Sequence, residues 1–436
     1  MGVETAMPLL DDYSGAFDPD VGLESFSRQA LAALGREYLL SGHLQDRVGL
    51  PLAAKRFGGD AYVQFSIDEW MAASPIYSKR MQRAMGFEGS EVGTVFKNMQ
   101  LEIGAPHQFM DFQFELQEPT RGEFWLPHCG ALLDVEPFGE KQVKLMCHDI
   151  EDPTFDATAA ATHPCMKMRP IHRPPRVPSD RKPHCRWSVF IDDDSAPYRQ
   201  HPNLEIVAGS KLANTEVVEP QGDAEPGGWP DYSGPFDPQF QLEDLSHRAL
   251  VIVSQEFALQ SHLLARAFML CVAQRLDDAE AAELGRAQWT GIAALAGERL
   301  LRCLKIDGDG PKSIAKLFQL HPCFHPRTYC DLRVACEGDG RVHLSLHRCP
   351  ALEEGDAYSW FAGLGAASHS ALEAIAGIVN PRARCRPVDG PAGGGLAWEI
   401  EIEPAADPRP SPPELELARI SRGANFIFEQ RRELRG

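Results

Sequence analysis

Apolar residues recur at steps of three and four in two long stretches of the chain. Leucine, alanine and phenylalanine follow this spacing over 23–56 and again over 242–275. Since this is the period of a helix that buries one stripe, both stretches are predicted to form a helical layer. A further helix is predicted over 66–85, with Ser66 or Asp68 as its N-cap and a break at Pro75.

A second pattern, in which every other residue is apolar, follows each helical stretch. It occupies 109–116 and 341–346, and turn residues lie at 119–122 and 337–340. Alternation is typical of strands, and such turns favour antiparallel hairpins. A short helix that ends near Pro164 is predicted within 157–169, and a clearer one over 366–379. Each sheet is predicted to end with a strand, over 185–192 in the first copy and 396–402 in the second. The predicted class is α+β, with a helical layer packed on an antiparallel sheet.

The two halves of the chain are copies of one unit. The segment 12–19 returns at 231–238, a shift of 219 residues. The same shift matches seven further residues, namely Glu37, His43, Arg47, Trp70, Arg80, Arg83 and Lys97 with Glu256, His262, Arg266, Trp289, Arg299, Arg302 and Lys316. We predict a first copy over 1–216, a Pro- and Gly-rich linker over 217–230 and a second copy over 231–402.

The remaining segment, 403–436, is predicted as a Pro-rich spacer followed by a helix over 414–432. The apolar positions of this helix are expected to dock on the body of the protein or on a second subunit, which would make a homo-oligomer.

Composition narrows the classes of partner. The net charge is −19, which repels phosphate backbones and anionic lipid, so neither nucleic acid nor a membrane is expected as a partner. Residues 1–12 have no secretion signal, and no apolar stretch is long enough to span a bilayer. With eleven cysteines, these features predict a reduced, cytoplasmic protein.

The candidate chemistry lies in the first copy, where nine histidines and cysteines fall within 128–185. Cys129 is the leading nucleophile candidate, with His148 as its base and Asp149 or Asp152 to orient the base. The same crowd offers a zinc or iron site, with ligands drawn from Cys129, Cys147, His148, His163 and Cys165. A third interpretation is that these thiols and imidazoles are packing residues.

Four residues are candidates for binding a substrate. Arg169 and Arg173 belong to a basic, Pro-rich segment at 169–186, and a guanidinium pairs well with a carboxylate. His43 is expected to point into a pocket between helices and sheet, and Trp70 to stack on a flat ligand. Alternatively, the basic segment neutralises acidic patches and His43 and Trp70 are core residues.

The order of helices and strands, the Phe96-Lys97 pair and the segment Phe124-Trp125-Leu126-Pro127-His128-Cys129 resemble the L-2-amino-thiazoline-4-carboxylate hydrolase family. The resemblance covers about 20–190 and, more faintly, 240–402. It implies a mixed helical and sheet fold and an activity that opens a sulfur-containing heterocycle with water. Cys129 is the residue that the resemblance implies to be functional. The duplication, the His and Cys crowd and the basic segment depart from the family pattern.

Two functions follow as hypotheses. The first is a hydrolase-like enzyme that acts on a C–N or C–S bond of a small carboxylated or amide-like molecule, in a pocket of the first copy. A metal-dependent enzyme at the same cluster is its variant. In both versions of the enzyme the second copy is a degenerate partner of the first. The second hypothesis is a noncatalytic binding or assembly module whose two copies form a pseudo-dimer and whose cysteines are core residues.

Overall fold

The computed structural model describes residues 8–337 and 340–435 and confirms the α+β class. Residues 1–7, part of the segment predicted to lack a secretion signal, and 338–339, in a predicted turn, lie outside the described residues. Within the described part, no helix is both long and apolar enough to cross a membrane.

Each copy combines helices with a four-stranded antiparallel sheet. The first copy contains α1 (Arg28–Leu44), α2 (Asp46–Phe57), α3 (Gly59–Ala84), α4 (Val92–Met99), β1 (Gln113–Glu118), β2 (Arg121–Leu126), α5 (Gly130–Val135), α6 (Glu140–Lys144), a π-helical segment (Leu145–Ile150), α7 (Glu151–Ala160), β3 (Met166–His172), β4 (Cys185–Ile191) and α8 (Pro202–Ala208). The second contains α9 (His247–Ala273), α10 (Asp278–Cys303), α11 (Pro311–Gln319), β5 (Leu332–Glu337), β6 (Arg341–His347), α12 (Ser370–Val379), β7 (Ala383–Val388) and β8 (Gly395–Ile402), and α13 (Pro413–Ala418) follows it. The strand orders β1-β2-β4-β3 and β5-β6-β8-β7 are equivalent.

The long helices of the two copies share one hydrophobic core. Helix α9 packs against α1 and α3, and α10 packs against α1 and α2. Helix α9 is consequently buried on nearly all sides, and the prediction of a single buried stripe was wrong for it. Its neighbours from the other copy cover the face that a surface helix would turn to water.

Matching residues of the two copies form reciprocal contacts across this core. Arg299 donates two hydrogen bonds to Glu37, at 2.7 and 3.1 Å, and Arg80 donates two to Glu256, at 3.0 and 2.7 Å. All four side chains are buried. The repeated Glu and Arg residues therefore hold one copy to the other.

The N-terminal segment of each copy likewise contacts the other copy. Lys316 Nζ donates to the carbonyl of Tyr13, at 2.9 Å, and Lys97 Nζ donates to that of Tyr232, at 2.8 Å. Each segment thus lies on the α4 or α11 helix of the other copy.

Several predicted boundaries were wrong. Helix α3 begins at Gly59, before Ser66, and continues through Pro75. Its packing against α7, α8 and α9 outweighs the single backbone hydrogen bond that a proline removes. The first strand begins at Gln113, because the chain turns through Phe109 before it.

The C-terminal helix is shorter than predicted and ends at Ala418. A 3-10 turn, Arg422–Asn425, follows, and Ser421 Oγ at its N-cap donates to Asp134 Oδ2, at 2.6 Å. Leu415 and Ala418 are buried, and α13 packs against α10 and α2. The helix therefore docks on the body of its own chain, and contact with a second subunit stays a prediction.

Candidate functional site

The first copy contains a cavity of about 1100 Å³. Its walls come from α2, α3, the end of α4, the segment from α5 to α7 and the segment after α13. Aromatic rings line much of it, namely Tyr62, Trp70, Tyr77, Phe112, Phe138 and Phe155. Three of the residues predicted from the sequence line it as well: His43, Trp70 and Asp149.

A pair of carboxyl groups lies where α2 and α3 meet at the cavity wall. Asp46 lines the cavity, is 4% exposed and accepts a hydrogen bond from Trp70 Nε1 at 2.9 Å. Glu69 lies behind it with no exposure. As carboxylates, Asp46 Oδ1 and both Glu69 oxygens have no hydrogen-bond donor within the described part of the chain. A proton on Glu69 would supply a donor for an Asp46–Glu69 hydrogen bond.

Burial sets the protonation of this pair. It raises the pKa of Asp46 to about 6, against the opposing effects of Arg47 and the Trp70 hydrogen bond. Burial, and then the charge of Asp46, hold the pKa of Glu69 well above its ordinary value. These directions favour a neutral Glu69 that donates to Asp46, and the side chain of Asp46 lines the cavity.

Two further acids line the cavity with unusual protonation. Burial raises the pKa of Glu102 to about 8, although Asn98 Nδ2 donates to its Oε2 at 2.6 Å. Burial also raises the pKa of Glu151 to about 8, and Arg173 opposes this effect. The cavity therefore offers an ionised carboxylate and neutral carboxylic acids together, which is the combination that acid-base catalysis uses.

His43 and Arg47 lie on one face at the α1–α2 junction. Arg47 Nη2 is 3.1 Å from His43 Nε2, and Arg47 Nε donates to Asp134 Oδ2 at 2.9 Å. Burial, and then the charge of Arg47, lower the pKa of His43 far below its ordinary value. His43 is thus a neutral imidazole in the cavity wall.

The matching region of the second copy is filled by side chains. Trp360 stacks on Trp289 with ring centroids 5.9 Å apart, and its Nε1 donates to Gln288 Oε1 at 3.1 Å. Phe361 also contacts Trp289, with centroids 5.4 Å apart. By the 219-residue shift, Ala265 stands in place of Asp46 and Gln288 in place of Glu69. The second copy thus lacks both carboxyl groups of the pair.

Cys129 does not line the large cavity. It is the N-cap of α5, where its Sγ accepts from the Leu132 amide at 3.4 Å, and burial raises the pKa of its thiol to about 12. Together with Cys147, Cys185 and Glu151 it lines a neighbouring void of only about 10 Å³. Such a thiol is protonated and enclosed, which disfavours it as a nucleophile.

The predicted partners of Cys129 form other contacts. His148 lies in the π-helical segment, and its Nε2 donates to the Pro174 carbonyl at 2.6 Å. Asp149 is exposed at the large cavity. The imidazole beside Cys129 is that of His184, whose Nδ1 accepts from the Cys129 backbone amide at 3.2 Å. No recorded hydrogen bond links Cys129, His148 and Asp149 as a triad within residues 8–337 and 340–435.

The five predicted metal ligands do not form one cluster. Among the described residues, the group of metal-ligating atoms that lie within 4.8 Å of one another belongs to His163, Cys165 and Asp193. His163 Nδ1 already accepts from the Cys165 amide at 3.2 Å, and the side chain of Asp193 is 82% exposed. Cys129, Cys147 and His148 are not members of this group.

The basic segment pairs with acids of its own copy. Arg169 donates to both oxygens of Asp156, at 2.8 and 2.9 Å, and Arg173 forms an ion pair with Asp152. Neither arginine lines the large cavity. These contacts fit the alternative in which the segment neutralises acidic patches, because both guanidinium groups already bind carboxylates.

Sequence reasoning missed Asp46, Glu69 and Glu102. A signal for the first two was present in the duplication: Arg47 and Trp70 match across the copies, whereas the acids beside them become alanine and glutamine. A charged position that differs between otherwise matching neighbours marks a role that only one copy performs. The same shift sets Glu102 against His321, directly after the matching Gln100-Leu101 and Gln319-Leu320, so the duplication gave this signal for Glu102 as well.

No family model, no curated protein and no solved structure matches this chain. The resemblance to the thiazoline-carboxylate hydrolases therefore stays a prediction. The geometry of the first-copy cavity is the basis for a function.

Proposed function

We propose that the protein is a hydrolase-like enzyme that acts on a small amide-like molecule bound in the cavity of the first copy, with Asp46 as general base. The observation that carries this proposal is the Asp46–Glu69 pair, buried, without a salt bridge in the described residues, and placed on the wall of a cavity of about 1100 Å³. Buried carboxyl groups with shifted pKa values are concentrated at active sites.

The groups in the cavity suffice for hydrolysis of a C–N bond. The Asp46 carboxylate accepts a proton from water, and the resulting hydroxide adds to the carbonyl carbon of the substrate. Glu102, neutral at pH 7, donates a proton to the leaving nitrogen, so that an acid and an amine are released. Glu69 supports the charge of Asp46 by hydrogen bonding, as the orienting group of a general base does.

The experiment is a hydrolysis assay on a panel of small amides and lactams, in which mass spectrometry detects the addition of one water. Asp46→Asn should lower the rate by about 10²- to 10⁴-fold, the usual contribution of a general base. Asp278→Asn, the same chemical change at an exposed position on α10, is the matched control. Turnover that survives in Asp46→Asn would remove Asp46 from the mechanism, and loss of turnover in Cys129→Ser would restore the cysteine hypothesis.

A metal-dependent variant of this function is favoured by one observation, the cluster of His163, Cys165 and Asp193. Zinc would be held there by imidazole, thiolate and carboxylate. Elemental analysis of wild type and Cys165→Ser tests it: zinc bound by the first and absent from the second supports a metal centre, and no metal in either excludes it.

We propose a cytoplasmic location for the enzyme, because eleven cysteines suit a reducing compartment.

A further inference from the structure

The charge inside the cavity bears on the kind of molecule that it binds. Three acids face it from the wall or lie directly behind it with little or no exposure, namely Asp46, Glu69 and Glu102. None of them forms a salt bridge within residues 8–337 and 340–435. Arg47 lines the cavity and its charge lowers the pKa of Asp46, but its guanidinium forms its ion pair with Asp134. The inner wall is therefore rich in acids that lack a cationic partner.

Three cations, Arg47, Lys141 and Lys144, also line the cavity, but within the described residues none of them forms an ion pair with the three buried acids. Lys141 and Lys144 are exposed, and Lys144 is paired with Glu140 at 2.6 Å. Arg169 and Arg173, the residues expected to hold a carboxylate, are paired outside it. The two lysines are exposed, so a carboxylated ligand at the buried end of the cavity would meet the acids and an Arg47 that Asp134 already binds, at a large desolvation cost.

The rest of the wall suits an apolar body. Aromatic rings surround the space, and Met99, Met110, Met146 and Met168 add flexible apolar contacts. Trp70 and Tyr62 lie on the same helix as Glu69, so that their rings are close to the acids. Aromatic faces next to carboxylates form a favourable environment for an organic cation.

We propose that the ligand of this cavity is a hydrophobic organic amine, protonated when bound, whose ammonium group pairs with Asp46 while its apolar body contacts the surrounding aromatic and methionine side chains. The ligand class rests on the proposed function, since the amine would be the product that hydrolysis of the amide releases, and Asp46 would pair with it only after acting on water. A neutral amine that enters accepts a proton from the carboxyl pair, and an ammonium that enters finds the Asp46 carboxylate. Either route ends in the same ion pair, with no charge left unpaired.

Isothermal titration calorimetry with three probes that share one naphthyl body tests this inference. The probes are 2-(2-naphthyl)ethylamine, 2-(2-naphthyl)ethanol and 2-naphthylacetate at pH 7. The amine should bind at least about tenfold more tightly than the alcohol, because a hydrogen bond to a charged group exceeds a neutral one by that much. The carboxylate should show the weakest binding of the three.

Variants locate the effect at the carboxyl pair. Asp46→Asn should lower the affinity for the amine by about tenfold or more and leave that for the alcohol nearly unchanged. Glu69→Gln, which installs the residue type of Gln288 and keeps a donor beside Asp46, should retain amine binding. Asp278→Asn should match wild type, and thermal unfolding of each variant shows that it is folded.

Two outcomes overturn the inference: tighter binding of the carboxylate than of the amine, or equal affinity of wild type and Asp46→Asn for the amine. The result is separable from that of the hydrolysis assay. Amine binding that depends on Asp46, without turnover of any amide, supports the ligand class and contradicts catalysis. Turnover of neutral amides without amine binding does the reverse.

Discussion

The first and second copies share a frame but differ at the place where a ligand could bind. In both, a Trp recurs on a long helix and a His and an Arg recur four residues apart, and the Arg forms an ion pair with an acid, Asp134 or Asp356. In the first copy these residues line a cavity, and Asp46 lines it too. In the second, Trp360 and Phe361 cover Trp289, and apolar or amide side chains replace the carboxyl pair.

The difference separates residues that hold the fold from residues that serve a site. A contact present in both copies is explained by the fold that they share, as with Glu37–Arg299 and Glu256–Arg80. A buried acid present in one copy alone is not required by that fold, and its desolvation is unfavourable. Under the proposed function such an acid serves the ligand, and the comparison selects Asp46 and Glu69 as the residues to test.

The largest effect on stability is expected from breaking the buried ion pairs that join the two copies. Glu37→Gln and Glu256→Gln each leave a buried arginine without its charged partner, which should lower the free energy of unfolding by ~3–5 kcal/mol. Urea denaturation measures both. Because the two ion pairs are equivalent, the losses should agree to within ~1 kcal/mol. A large loss in one and none in the other would show that the frame is not symmetric.

The packed region around Trp360 in the second copy and the cavity next to Trp70 in the first should respond differently to loss of a tryptophan. Trp360→Ala removes a buried ring from a packed region and should cost ~3–5 kcal/mol. Trp70 is only partly buried and one side of it borders the cavity, so Trp70→Ala should cost less, ~1–2 kcal/mol. Thermal and urea unfolding of the two variants, side by side, provide the measurement. Equal costs would mean that the first-copy cavity is packed in solution.

The sequence predicted the duplicated frame well, because the matching residues recur at a fixed shift and the helical and strand periods are strong. His43 and Trp70 line the cavity, and their role in binding a substrate stays a prediction. Cys129 was favoured because a thiolate is a strong nucleophile and because Cys349 matches it in the second copy. Whether a thiol is accessible depends on burial, which arises from α5 and the sheet folding over it, and no local pattern encodes that. The pairing of Asp46 with Glu69 likewise requires the meeting of α2 and α3.

Stability should depend on pH through the buried acids of the open copy. The pKa of Glu102 is about 8 in the folded protein and 4.5 as its ordinary value, so the folded state binds more protons between these values. Stability contributed by this group is therefore complete below about pH 4.5 and falls as pH rises towards 8. Glu102→Gln should remove this dependence and raise the free energy of unfolding at pH 9 by several kcal/mol relative to wild type, since one pKa unit corresponds to ~1.4 kcal/mol.

Denaturation curves for wild type and Glu102→Gln at pH 5, 7 and 9 provide the measurement. Glu283→Gln, at an exposed position on α10 with a side chain 60% exposed, is the matched control and should follow wild type at each pH. Parallel curves for Glu102→Gln and wild type would indicate that Glu102 titrates normally, and the cavity would then be more hydrated than its lining suggests.

The smallest effects on stability and turnover are expected at the cysteines that match between the two copies. Cys129 and Cys349 occupy matching positions, both are buried, and burial raises the pKa of both thiols. If they are packing residues, Cys129→Ser and Cys349→Ser should each cost about 1 kcal/mol and leave turnover within about twofold of wild type. Iodoacetamide should label Cys129 slowly in the native protein and rapidly in urea, because only the accessible thiolate reacts. Rapid native labelling of Cys129 with slow labelling of Cys349 would instead show that the copies differ at this position too, and would return the sulfur to the candidate active site.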